Sequence, residues 1–259
     1  MKRDLMAEAG SLPTLQSVVD GRLIDQEGFE RLLLVPAAHE RRVQWCRTAA
    51  TGFGEAGYAV WVAGWIEQDD RLTALGTVLQ MASDLAQGAV TLLDGDRHYA
   101  TAALVRQFVE CEYLVWLFGE QPDEAAQWLH AAPADRQRLF RPAAMRKRSK
   151  GRFRSEEYAS HCELGGHPNP VGAFMLPGRR DSRQLAEGRW QWVDLGQHLE
   201  RCWDLAVLAL RVHNLVEMPP VELMRRLEDA RDQWHGHDQL AVRFARLSSA
   251  GNRRVAELV

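Results

Sequence analysis

The 259-residue chain is 46% hydrophobic and 26% charged, with a formal net charge of −3, the profile of a globular polypeptide with a sizeable core. That profile excludes collagenous, disulfide-scaffold and intrinsically disordered proteins, and the length allows one large domain or two small ones. The near-neutral total hides an asymmetry: residues 136–154 carry nine Arg or Lys and no acid, leaving 23 basic against 35 acidic residues elsewhere, a net of −12.

In chain order the elements are helical. Ala, Leu, Arg, Glu and Gln dominate, apolar residues recur at three- and four-residue spacing, and β-branched alternation is absent over any length. The fold class expected is all-α, a helical bundle with peripheral helices and one long loop, forming a single domain over 1–259. Its core is expected over about 37–218, with a C-terminal helical extension over 219–259. After a polar start, the pattern predicts a helix over 37–56, weakened at its end by Gly52, Gly54 and Gly57. Asp69 and Asp70 mark the N-terminus of a core helix over 71–93. Asp94-Gly95 stops it, and Asp96 is placed to cap the next helix, which runs to Phe118 and ends at Gly119. So short a connection predicts a helical hairpin.

Beyond Pro122, DEAAQWLHA reads as a short helix, and Asp135 or Pro142 opens another that carries the basic run until Gly151. A helix over 155–164 ends at Gly165-Gly166-His167-Pro168-Asn169-Pro170, so residues 165–189 are expected as a long loop. A long apolar helix over 190–218 stops at Pro219-Pro220, and a last helix covers 221–234.

Cys46, Cys111, Cys162 and Cys202 never form a CxxC pair and mostly sit in apolar helical patterns, which reads as reduced core thiols in a cytoplasmic protein. The N-terminal residues have no apolar run of a secretory signal, and no segment offers the roughly 18 uninterrupted apolar residues of a membrane span. No cofactor-binding motif is evident. Most of the nine Trp are expected in the core, with Trp190 or Trp192 closing a site or a homodimer contact.

Two concentrations of polar residues carry chemistry. On the third long helix, His98, Ala102, Arg106, Glu110 and Tyr113 share one face, and Arg106 with Glu110 forms either a solvent-side pair or a cleft-facing pair that orients other groups. At the junction after the basic run stand Tyr158, His161, Cys162, Glu163 and His167. Glu157 precedes His161 by four residues, so a carboxylate can orient the imidazole for general acid–base work, or His161 simply caps its helix end. A bundle-core metal centre built from Asp194, His198, Glu110, Glu157 and His161 is the alternative, although no HExxH or paired ExxH motif is present. His235 and His237 read as solvated.

The stretches LVRQFVECEYLVWLF and YASHCELGGHPNP, about forty residues apart, resemble a group of uncharacterised bacterial helical proteins related to the HEPN superfamily. The resemblance covers about residues 70–215, with Arg106, Glu110, Tyr158 and His167 at the matching positions. It implies a metal-independent endoribonuclease of the phage-defence or toxin–antitoxin kind, with RNA as substrate and a protein partner or antitoxin. The HEPN signature, Arg then four to six residues then His, is met by Arg154 and His161, and also by Arg231 and His237. His161 is the first choice of base and His167 its rival. The basic run adds Arg146, Lys147, Arg148, Lys150 and Arg152 as expected nucleic-acid contacts, with Phe140 and Phe153 as stacking faces. A noncatalytic helical interaction module and a metal-dependent enzyme are the alternatives.

Overall fold

The computed structural model describes residues 26–170, 172, 175–176, 182–212 and 220–241. Among them all regular structure is helical: α1 (Gln26–Leu33), α2 (Pro36–Glu67), α3 (Asp70–Asp94), α4 (His98–Glu120), α5 (Asp123–His130), α6 (Pro133–Leu139), α7 (Pro142–Arg148), α8 (Ser155–His161), a π-helical turn (Cys162–Gly166), α9 (Ser182–Val212) and α10 (Val221–His237). The four long helices α2, α3, α4 and α9 pack as a bundle, α10 lies against α2, and the short helices α5–α8 form a side wall leading back onto α4. None of the described helices is long and apolar enough to cross a membrane, and all four cysteines are free.

The core follows the apolar spacing. Leu72, Leu75, Leu79, Ala82, Ala86, Ala89 and Leu93 of α3 are buried, as the stripe predicts, and the Asp69 side chain accepts the Arg71 amide at the helix start. The helix expected to end near residue 56 instead runs eleven residues further, through Gly57 and Gly64. These glycines are contact points. A Cβ on Gly57 would lie 2.9 Å from the Gly76 carbonyl oxygen, and one on Gly76 would lie 2.5 Å from the Trp61 amide nitrogen. Two bare backbones therefore let α2 and α3 approach closely, and the packing outweighs the low helix propensity of glycine.

Other boundaries move for local reasons. Asp96 does not cap α4: it takes a left-handed turn conformation (φ 55°), and Arg97 holds the N-cap position. Gly119 stays inside α4, against Ala209 of α9. The basic run splits between α6 and α7, and Gly151 (φ 94°) turns the chain before α8. The expected long loop is shortened at both ends, because the π-helical turn occupies 162–166 and α9 begins at Ser182; residues 171, 173–174 and 177–181 lie outside the described set. The last six residues of the helix expected to reach 218 also lie outside it. Gly165 explains the π-helical turn's position. A Cβ there would meet the Ala102 carbonyl carbon at 2.5 Å, so only glycine lets this turn rest on α4.

Arg42 ties the outer helices to the bundle. Its guanidinium, wholly buried, pairs with Asp238 after α10 and donates to the Leu32 and Leu33 carbonyls at the end of α1. Asp238 in turn accepts from the Trp234 indole, whose ring stacks on Trp45.

A buried histidine pair and an adjoining arginine cluster

Helix α8 is only seven residues long, yet it feeds two polar clusters. Its first turn carries Glu156 and Glu157, where carboxylates suit the positive helix end, and Glu157 and His161 are one turn apart on one face. The π-helical turn anchored on Ala102 holds the end of α8 against α4. From the other side α9 presents Asp194, His198 and Arg201, one stripe at spacings of four and three.

These side chains meet in the interior. The Nε2 atoms of His161 and His198 lie 3.0 Å apart, and the two imidazoles are 2% and 1% exposed. His198 Nδ1 is 2.7 Å from an oxygen of Glu112, a wholly buried carboxylate on α4. Asp194 lies 3.7 Å from His161 Nδ1 and 3.7 Å from His198 Nε2. A Glu157 oxygen is 3.8 Å from His198 Nε2 and accepts a 2.7 Å hydrogen bond from Arg201. Arg201 Nε also sits 3.1 Å from Glu112, in charge contact but misaligned for a hydrogen bond. The Glu157 and Asp194 side chains, each 15% exposed, form the solvent-facing edge.

The electrostatics follow from burial and charge. Burial disfavours an ionised Glu157, but Arg201 and then His198 outweigh it and hold the carboxyl down at about 2. Burial lowers the His161 pKa, partly offset by Asp194, so the imidazole is neutral at pH 7. Three carboxyl groups, Glu112, Glu157 and Asp194, and the Arg201 guanidinium thus pack around the two imidazoles, mostly out of water.

Two groups compete for His198 Nδ1: a Glu112 oxygen at 2.7 Å, to which it donates in one tautomer, and Arg201 Nη2 at 2.8 Å, from which it accepts in the other. In the first tautomer His198 Nε2 is a lone pair facing His161 Nε2. If His161 donates to it, His161 turns its own Nδ1 lone pair towards Asp194, an unfavourable pairing.

A cation between the two Nε2 atoms removes that conflict. Both imidazoles then carry hydrogen on Nδ1, one backed by Glu112 and the other facing Asp194, the carboxylate–histidine–metal pattern of many metal sites. Ligand atoms of Glu157, His161 and His198 all lie within 4.8 Å of one another. Two nitrogens each about 2.0–2.1 Å from one zinc-class ion can stand 3.0 Å apart.

The second cluster lies on the α4 side of Tyr158. Arg106 Nη1 donates to Glu110 at 2.9 Å and to the Tyr158 hydroxyl at 3.1 Å, and that hydroxyl donates to Glu110 at 2.8 Å. The Arg106 and Glu110 side chains are 26% and 32% exposed, and the pair also holds the Tyr158 hydroxyl. The Arg146 guanidinium lies over the Tyr158 ring, 4.3 Å from its centroid. Burial, then the hydrogen bond to Glu110, pushes the Tyr158 hydroxyl pKa well up, so it stays neutral.

The sequence-derived set is thus divided. Arg106, Glu110 and Tyr158 come together, and His161 belongs to the other cluster on the same helix. Arg154, exposed at the N-cap of α8, and the buried His161 sit at opposite ends of that helix, so the two residues of the HEPN-type spacing do not converge. His167 is exposed beyond the π-helical turn. Lys147, Lys150 and Arg152 are exposed, whereas Arg148 is engaged by Glu124 and Gln121. Phe140 and Phe153 are not stacking faces: both are buried, and Phe153 packs on Tyr113 and Trp116. Glu110 is not part of the histidine cluster, where Glu112 takes the place expected of it. Trp190 and Trp192 are buried, Trp192 packing edge-on against His39. His235 is not simply solvated; it pairs with Glu200 at 2.9 Å.

Glu112 and Arg201 are the residues that sequence reasoning missed. The available signal was a charge in an otherwise apolar stretch, since Glu112 sits among Phe108, Val109, Val115 and Leu117, all buried. No family model, curated protein or solved structure matches the chain.

Proposed function

We propose that this protein is a metal-dependent enzyme whose centre is Glu157, His161 and His198, with Asp194 at its edge. The observation that carries the reading is the pair of Nε2 atoms 3.0 Å apart, with a carboxylate beside them and Glu112 behind His198. Two imidazoles and one carboxylate are the donor set of catalytic zinc sites that keep a position open for water. A divalent ion would suit a cluster in which three carboxyl groups, Glu112, Glu157 and Asp194, face one guanidinium, Arg201. Bound by Glu157, His161 and His198, such an ion would supply activation of a water near neutral pH and polarisation of a substrate oxygen, which suits hydrolysis. Glu157 and Asp194 lie on the solvent side, where an approaching substrate meets the centre.

A second reading is RNA cleavage without a metal, as the HEPN resemblance implies. The contact of Arg106 with Tyr158 and the exposed Lys147, Lys150 and Arg152 favour it. It needs His161 to reach a ribose hydroxyl, and His161 is 2% exposed and engaged with His198.

Titration of metal-free protein with Co²⁺ tests the first reading. One equivalent should give visible absorption bands that a chelator abolishes and that are lost in His161→Ala and His198→Ala. Absence of binding in the folded wild type, or bands unchanged in both variants, contradicts it. RNA cleavage that persists in excess chelator supports the second reading instead.

A further inference from the structure

An apolar face of the bundle lies open among the described residues. Tyr58, Trp65 and Ile66 of α2 and Met81 of α3 are 61%, 65%, 67% and 48% exposed. On α2, Tyr58, Trp61 and Trp65 share one helix face, and on α3, Thr73, Thr77 and Met81 form a parallel stripe beside it. A shallow cleft of about 320 Å³ lies there, lined by Tyr58, Trp61, Thr77, Gln80 and Met81. The Tyr58 and Trp61 rings stack along it, 6.5 Å between centroids. Polar atoms of the face are spent on their own helix: the Thr73 and Thr77 hydroxyls and the Gln80 amide each donate to a carbonyl one turn back. What the face offers outward is aromatic rings, methyl groups and a thioether.

We infer that this face is the contact of a homodimer, in which Trp65 of each copy seats in the cleft of the other. Both halves of the joint stand on one surface. Trp65 lies one turn beyond Trp61, outside the cleft lining and mostly in solvent, so a two-fold axis passing between Trp65 and the cleft exchanges knob and hole. Tyrosine, tryptophan and methionine with no charge among them make the composition of an interface core. Flanking charges are engaged within the chain, Glu55 by Arg226, Asp70 by His130 and Arg71 by Asp69, so these set no unpaired charge against a second copy. Side chains of this size and exposure leave roughly 500–600 Å² per copy, and a pair buries about 1,000–1,200 Å², the low end of stable interfaces. That size suits a dimer of micromolar affinity. Trp190 and Trp192, which the sequence offers for such a contact, are buried in the core. Neither α2 nor α3 supplies a residue to the histidine centre, so the dimer is independent of the metal reading.

Sedimentation velocity of the full-length protein, from about 1 to about 200 µM, tests this. The wild type should pass from monomer to dimer across the range. Trp65→Ala should raise the dimer dissociation constant about thirtyfold or more, the effect of truncating a central interface tryptophan. Thr77→Arg, which sets a charge in the cleft of each copy, should leave a monomer throughout. Both positions are on the surface of the monomer, so the helical circular dichroism should match the wild type. Leu208→Gln, at an exposed apolar residue of α9 away from the face, should change the constant less than twofold. A wild type that stays monomeric overturns the dimer and leaves the face to a different partner. A dimer whose constant is unchanged in Trp65→Ala or in Thr77→Arg overturns the exchange of Trp65 into the cleft, as does a Leu208→Gln effect equal to that of Trp65→Ala.

Discussion

Glu112 shows how one residue can organise a site without touching a substrate. It is wholly buried, and its carboxylate, 2.7 Å from His198 Nδ1, favours the tautomer that leaves Nε2 as a lone pair towards His161. Outer carboxylates of this kind raise the basicity of a ligating imidazole, and their loss weakens metal binding about 10–100-fold. Glu112→Gln should therefore raise the metal dissociation constant by about that factor, measured in metal-buffered solution. Asp194→Asn should have a smaller effect, because its contact with His161 is 3.7 Å against 2.7 Å. Equal affinity in Glu112→Gln and wild type contradicts the role assigned to Glu112. His161 was legible in the sequence as a histidine one turn after a carboxylate at a helix break. Its partner was legible only in part: Asp194 and His198 stood out as a pair four residues apart, but Glu110 was chosen over Glu112. Local spacing favours Glu110, which lies one turn from Arg106, whereas the choice is made by which face of α4 meets α9. That is a tertiary fact.

At the scale of elements, glycine is where sequence and structure diverge most. Gly57 reads as a helix-weakening residue in isolation, yet with Gly76 it forms the crossing that brings α2 and α3 together. Gly76→Ala forces a methyl group onto the Trp61 backbone, which cannot yield as a flexible side chain would. The expected loss is about 1–3 kcal/mol, in the range of overpacked cores, seen as a lower denaturant midpoint. Gly236→Ala, in α10 with open space around its Cβ position, should instead stabilise by about 0.4–1 kcal/mol. Similar losses at both positions would contradict the close-crossing account. The long helices were legible from apolar residues at helical spacing, whereas α1 fell in the stretch read as an irregular polar start and α6 and α7 were read as one helix. Ends were less legible, since tertiary contacts decide whether a glycine ends a helix or lets two helices touch.

For the whole molecule, the bundle places a dry polar centre at the meeting of α4, α8 and α9 and an arginine cluster beside it. The acidic body and the basic run, evident from composition, bear differently on the two clusters. The basic run supplies Arg146 to the arginine cluster, while Arg148 is spent on Glu124 and the exposed lysines remain at the rim. The histidine centre draws its carboxylates from three separate helices. No segment of the sequence contains it, which explains the absence of a linear metal motif. Its existence as a metal centre is the central claim, and anomalous X-ray diffraction at the zinc absorption edge tests it most directly, on crystals of protein reconstituted with Zn²⁺. The account predicts one strong anomalous peak between His161 Nε2 and His198 Nε2, within ligand distance of a Glu157 oxygen, and no peak there in His198→Ala. Crystals of the wild type with no density between the two imidazoles, still 3.0 Å apart, would contradict it.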